Sequence, residues 1–245
     1  MGKTVLTNVR CFAVGVDLTG NSNKIELSSE VEVKDSTNYG SGGYKEVLGG
    51  LGSAEISGEG QWEAGDLTKV DDASWVQLGG VGPWSISANS GAAVGDLAYF
   101  TQALRSDYKL FGEVGEIAPW TGTAKSAWPL VRGQFAHPPG TARTATGTGT
   151  GLNVGAVTAG KRMYASLHVL SVAGTTPSLT ARVESSVDNT FASPTTRLTF
   201  AAAAAVGGQT LRTDGTAITD AWWRVAWTIS GTTPSFLFAA ALGIQ

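Results

Sequence analysis

The sequence predicts an all-β chain made of two tandem β modules with one or two short helices. Three observations carry that expectation. Apolar and polar residues alternate with period two over several segments, the connectors are short and rich in turn-forming residues, and only one short stretch reads as helix. The 245 residues suffice for one large β domain or two smaller ones. Glycine, at 33 residues, is nearly twice its average share, and charged residues stand at 15% against a usual quarter. A mean hydropathy of +0.03 and a net charge of −3 place the chain outside the disordered class. So charge-poor an exterior, rich in small residues, points to surface covered by further copies of the same chain.

A strand is expected over 5–14, followed by a turn at 15–20. The clearest element spans 24–34. There Ile25, Leu27, Ser29, Val31 and Val33 alternate with Lys24, Glu26, Ser28, Glu30, Glu32 and Lys34, giving one apolar and one charged face. Residues 35–50 read as a Gly-rich loop, and alternation resumes over 54–63 with Glu55, Glu59 and Glu63 on the polar side. Residues 71–78 read as a short helix, with Asp71 and Asp72 at its start and Gly79-Gly80 stopping it. Strands follow at 84–88, 97–104, 116–125 and 130–135. A flexible Thr/Gly segment is expected at 141–151. The last strands, at 162–172, 178–186, 196–201, 221–229 and 235–242, are separated by turn-like connectors such as Ala-Gly-Thr-Thr-Pro (173–177) and Gly-Thr-Thr-Pro (231–234).

A faint echo links the halves. Trp84-Ser-Ile-Ser-Ala followed by a strand at 97–104 resembles Trp227-Thr-Ile-Ser followed by one at 235–242. Duplication of one β module, with parts 1–106 and 107–245, is one explanation and chance is the other.

Catalytic signatures are missing. The GTGTG run at 147–151 lacks the strand, helix and acidic residue of a dinucleotide site, and no P-loop or nucleophile elbow occurs. His137 precedes Pro138-Pro139, and His168 lies in an apolar strand; both read as structural. With Cys11 they cannot supply a spaced zinc set, and Cys11 itself reads as a small buried hydrophobe. No metal, cofactor or enzymatic activity is expected. The acidic balance argues against a broad nucleic-acid grip. No leader peptide and no run of about 18 apolar residues is seen, so a soluble, cytoplasmically made chain with no membrane contact is expected.

Glu26, Glu30, Glu32, Glu55, Glu59 and Glu63 form rows on charged strand faces. A catalytic carboxyl is desolvated, whereas such rows are wet. They read either as solvated faces or, if the sheet curls into a ring, as the lining of a bore that repels phosphates. Trp223 and Trp227 share one face of a strand and Trp222 points away. That places a core on one side, and it also leaves open a carbohydrate- or receptor-binding β-sandwich with an aromatic platform.

Several stretches resemble the major tail tube proteins of long-tailed bacteriophages, particularly those infecting actinobacteria. They are VDLTGNSNKIELSSEVEVKDSTNYGSGGYKEVLGGLGSAEISGEGQWEAG (16–65), PLVRGQF (129–135) and ITDAWWRVAWTISGTTPSFLFAAALGIQ (218–245). The resemblance implies a tail-tube-type β-barrel or sandwich module that self-assembles into rings, stacked as the conduit for genome ejection. It implies a virion protein whose partners are itself, a tape measure protein and tail terminator or baseplate proteins, with DNA only as passing cargo. The loop holding Asn38, Tyr39, Gly40, Ser41, Gly42, Gly43 and Tyr44 would then stack on the next ring. Rings of three duplicated chains, or of six chains each carrying a decoration β-sandwich, both fit.

Overall fold

The computed structural model describes residues 6–245. Residues 1–5, part of the stretch read above for a leader, lie outside the described residues, as does the first residue of the strand expected over 5–14. The chain is all-β. Its strands are β1 (Arg10–Ala13), β2 (Val16–Asp17), β3 (Ser22–Asp35), β4 (Val47–Gln61), β5 (Val81–Ser87), β6 (Leu97–Leu110), β7 (Pro119–Ser126) and β8 (Val131–His137). They continue as β9 (Gly147–Thr148), β10 (Leu152–Asn153), β11 (Met163–Ser186), β12 (Thr195–Thr199), β13 (Gly207–Arg212) and β14 (Trp222–Ile244), with, among the described residues, one α-helix, α1 (Val70–Gln77), and one 3-10 turn at Thr19–Asn21. One sheet path runs β12-β11-β14-β8-β6-β5-β1-β2, and β3-β4-β7 branches from β6.

In the first half, alternation decides which face is buried. Ile25 and Leu27 of β3, Ala54 and Ile56 of β4, and Trp120 and Ala124 of β7 turn toward a core shared with Cys11, Trp84, Ile86 and Ala103. Helix α1 closes this core with Val70 and Ala73, while Asp71 and Asp72 sit in its first turn, where carboxylates suit the N-terminal dipole. β4 begins at Val47, so the last four residues of the expected Gly-rich loop are strand, while residues 36–46 remain a loop. Gly49 and Gly52 lie directly opposite Val33 and Val31, and cross-strand backbone pairing holds them in place without side chains of their own.

The second half is organised by β11 and β14, which pair along nearly their whole lengths. The two Gly-Thr-Thr-Pro segments expected to be connectors lie inside these strands. Thr175 stands opposite Thr232, and the register shifts on either side as both strands bulge together. The N-terminal half of β11 and the C-terminal half of β14 form a layer buried on both faces. Leu167, Val169, Phe238, Ala240 and Leu242 enter one core, and Tyr164, Ala239 and Ala241 enter another with Phe12, Phe100 and Phe135. A strand buried on both faces reads as a continuous apolar run, which accounts for the Phe-Ala-Ala-Ala-Leu stretch.

One further expectation is corrected. The Thr/Gly segment 141–151 is no free linker: Gly147 and Thr148 pair with Trp227 and Ala226, Arg143 pairs with Phe236, and Trp227 Nε1 donates to the Ala145 carbonyl. A Cβ at Gly147 would lie 3.0 Å from the Trp227 ring, a tight contact that the glycine avoids. The two echoing segments are built differently. The strands after Trp84 form the β5–β6 hairpin, whereas the matching segments after Trp227 are successive parts of the single strand β14. Position 106 lies within β6, and β8 is the strand that pairs with both halves, through β6 and β14.

Candidate assembly surfaces

The four strands β3, β4, β7 and β6 form one continuous wall. Registered residues on its outward face make three rows across the strands. The first runs Lys24, Glu59, Thr121, Lys109; the second Glu26, Ser57, Thr123, Asp107; the third Ser28, Glu55, Lys125, Leu104. The expected acids Glu26, Glu55 and Glu59 therefore share a face, but it is not purely acidic. Lys24, Lys109 and Lys125 stand among them, with Lys24 Nζ 3.1 Å from Glu26 and Lys109 Nζ 3.7 Å from Asp107. The carboxylate of Glu26 holds the Lys24 ammonium above its ordinary pKa. Lys24 was legible on the charged face of 24–34, whereas Lys109 and Lys125 were not singled out from the sequence, although β7 carries the signal: Trp120 and Ala124 are buried and alternate with Thr121, Thr123 and Lys125.

The other expected acids lie elsewhere. Glu30 and Glu32 are on a projecting ribbon, where Glu32 pairs with Lys34. Glu63 lies past the end of β4, bonded to Lys69 and to Asn21 Nδ2 at 2.9 Å, and these partners hold its carboxyl below the usual range.

Both edges of the wall are open among the described residues. β3 pairs only with β4. On β6, the β5 pairing ends at Leu104, the Arg105 backbone bonds to Gly79 and Gly80, and residues 106–110 carry no further strand on that side. Unpaired N–H and C=O rows of this kind invite another strand.

At one end of the wall, β3 and β4 run on alone. β7 leaves β4 at Glu55, so residues 29–35 and 47–54 form a two-stranded ribbon reaching about 23 Å farther at the usual strand rise. A lone hairpin is marginal in water. This one also exposes apolar side chains: Val31 is 60% exposed, Val33 69% and Leu51 83%. Its tip holds the expected loop residues Asn38 to Tyr44. They are ordered by their own bonds, with Asn38 Oδ1 accepting from the Gly40 N–H and Ser41 Oγ from the Asn38 N–H. Tyr39 and Tyr44 are exposed.

No group of three or more His, Cys, Asp or Glu side chains that could hold a metal ion forms among the described residues. Cys11 is buried and its thiol is pushed up to about 12, chiefly by burial. His168 and His137 are buried hydrogen-bonded groups of the interior. Trp223 and Trp227 are buried, so β14 presents no exposed aromatic platform of the kind a sugar-stacking site needs.

No family model and no curated protein matches the chain. Among solved structures, it is similar to a chain from the tail of an empty gene transfer agent particle with C6 symmetry, at 20% identity over 45% of this chain and 80% of that one, TM-score 0.37. A chain of the native gene transfer agent virion gives 20% identity over 52% and 97%, TM-score 0.40. The Dit protein of phage SPP1, described as a paradigm of the hub adsorption apparatus in phages infecting Gram-positive hosts, gives 9% identity over 97% and 99%, TM-score 0.36. At such low scores these likenesses assign no role.

Proposed function

We propose that the chain is a structural subunit of a phage-type tail, whose wall sheet joins other copies edge to edge into rings that stack as a tube. The observation that carries this reading is a four-stranded wall with two unlike open edges, β3 and residues 106–110 of β6. Joining unlike edges of successive copies is a heterologous contact, and such contacts close into rings when the rotation permits. The outward face then lines the bore. Its hydroxyls and its mixed carboxylates and lysines give passing DNA no fixed cationic stripe to bind, while Glu26, Glu55 and Glu59 repel phosphates.

On this reading each chain supplies one wall, the second half is an outer decoration, and six copies close the ring in preference to three duplicated ones. Tape measure, terminator or baseplate proteins are the further partners, and the virion tail is the location. Negative-stain microscopy and native mass measurement of the purified protein test it. Six-copy rings or tubes are expected; monomers persisting at assembly concentrations overturn it.

A further inference from the structure

The two open edges of the wall hold the two margins of one core. Ile25 and Leu27 at the β3 edge, and Tyr108 and Leu110 at the β6 edge, all pack against it while staying partly exposed. On the outward face each edge carries one charge pair, Lys24 with Glu26 on β3 and Asp107 with Lys109 on β6. Three successive antiparallel pairings separate β3 from β6, so these two strands run antiparallel. When rotation brings the β3 of a second copy beside residues 106–110 of β6, it arrives antiparallel, as the rest of the wall is, and only the register is left to choose.

We infer that this joint is staggered by two residues, so that residues 25–28 of one copy face residues 107–110 of the next and Glu26 meets Lys109. Three features select this register. In a flush joint the rows run straight on, which sets Lys24 against Lys109 and Glu26 against Asp107. Like charges directly opposite destabilise a sheet, and a closed barrel needs a stagger that a flush joint lacks. A stagger in the other sense pairs Lys24 with Asp107, but on the core side it sets Asn23 against Tyr108 and Asn21 against Leu110. The chosen one sets Leu27 beside Tyr108 and Ile25 beside Leu110, so four half-covered apolar groups cover one another. Finally, the Arg105 backbone is already bonded to Gly79 and Gly80 and admits no further strand. In this register it lies opposite the start of the ribbon, where β3 leaves the wall, whereas the other two bring wall residues of β3 against it.

This register rests on the tube reading, and charge swaps separate the two. The side chains of Glu26 and Lys109 are 63% and 76% exposed, and within one chain they stand three strand spacings apart, about 14 Å. Glu26→Lys and Lys109→Glu should therefore leave the melting temperature unchanged. Each alone should raise the protein concentration at which rings form by about tenfold or more, and the Glu26→Lys/Lys109→Glu protein should restore the wild-type value. At that separation, rescue can arise only across copies. Variants that all assemble like wild type, or a double variant no better than the singles, overturn the register and leave the tube reading intact. Wild-type protein that stays monomeric overturns both. As a second measurement, mild oxidation of Glu26→Cys/Lys109→Cys rings should give a ladder of covalent multimers on a denaturing gel, reversed by reductant; the natural Cys11 is buried. A ladder from Glu26→Cys/Asp107→Cys in its place marks the flush joint, and one from Lys24→Cys/Asp107→Cys the opposite stagger; either contradicts the assignment.

Discussion

His168 Nε2 lies 2.9 Å from the Ser85 hydroxyl and its Nδ1 accepts the Gly15 backbone N–H at 3.3 Å, so one imidazole fastens the two halves together. The Ser85 hydroxyl in turn meets Ser166 Oγ at 2.9 Å. With Nδ1 an acceptor, the proton belongs on Nε2, and the ring must be neutral.

Acid should therefore loosen the molecule. Burial pushes His168 down to about 3, and burial, reinforced by the nearby Arg143, pushes His137 down to about 4. Both lie below the unfolded value of about 6.5. The unfolded chain then binds protons first, so the stability of neutral burial is complete above pH 6.5 and declines toward pH 3–4. Each histidine contributes a slope of up to about 1.4 kcal/mol per pH unit, or about 2 kcal/mol lost by pH 5. Denaturation midpoints between pH 7 and 5 should show this, and His168→Gln should remove about half of the slope.

Next to this histidine, Gly15 adopts φ +85° and lies against Gly207, where an added Cβ would stand 2.4 Å from the Gly207 carbonyl oxygen. Gly208 likewise abuts Pro83. Gly15→Ala combines a disfavoured backbone with a backbone clash and should cost about 3 kcal/mol or more. Urea denaturation reads that loss. A shift below 1 kcal/mol would mean that the halves separate with little strain.

The crossing of β11 and β14 offers a paired test. Gly174 and Gly231 have φ +111° and +121°, and a Cβ on either would lie within 3 Å of carbonyl oxygens in the opposing Thr-Thr-Pro segment. Gly174→Ala and Gly231→Ala should each cost about 2 kcal/mol. The double variant should cost less than their sum, because one displacement of the crossing relieves both contacts. Strict additivity would mean that the two bulges are independent.

These motifs also show what the sequence could and could not reveal. Alternation at Ile25, Leu27 and Val31 announced β3, and the Asp71-Asp72 start with Gly79-Gly80 announced α1, since both signals are local. Gly-Thr-Thr-Pro looks like a turn because its residues do adopt turn-like angles. That two such segments bulge against each other inside continuous strands depends on pairing across 57 positions, shown by Thr175 and Thr232. The pinning of Gly147 by Trp227 is likewise tertiary. On the wall, the acids were legible as rows, but Lys109 and Lys125, which stand among them, come from β6 and β7, whose register no local pattern reports.

Arg105 gives the last prediction. Its side chain is 2% exposed, lies 5.4 Å from the Trp84 ring and 5.3 Å from the Tyr108 ring, and none of its three side-chain nitrogens has a hydrogen-bond partner among the described residues. Burial pulls its pKa down to about 10, so it remains charged at neutral pH. Ring faces compensate a guanidinium only in part, and an unpaired buried charge is costly. Arg105→Met keeps the length and apolar packing while removing the charge, so it should stabilise the protein by about 1 kcal/mol or more. Arg105→Ala should gain less, because it leaves a cavity between the two rings. Urea midpoints at unchanged m-value decide the matter. If the Met variant is less stable than wild type, ordered water must bridge Arg105 to acceptors that also lack a partner, such as Gln77 Oε1 beneath α1.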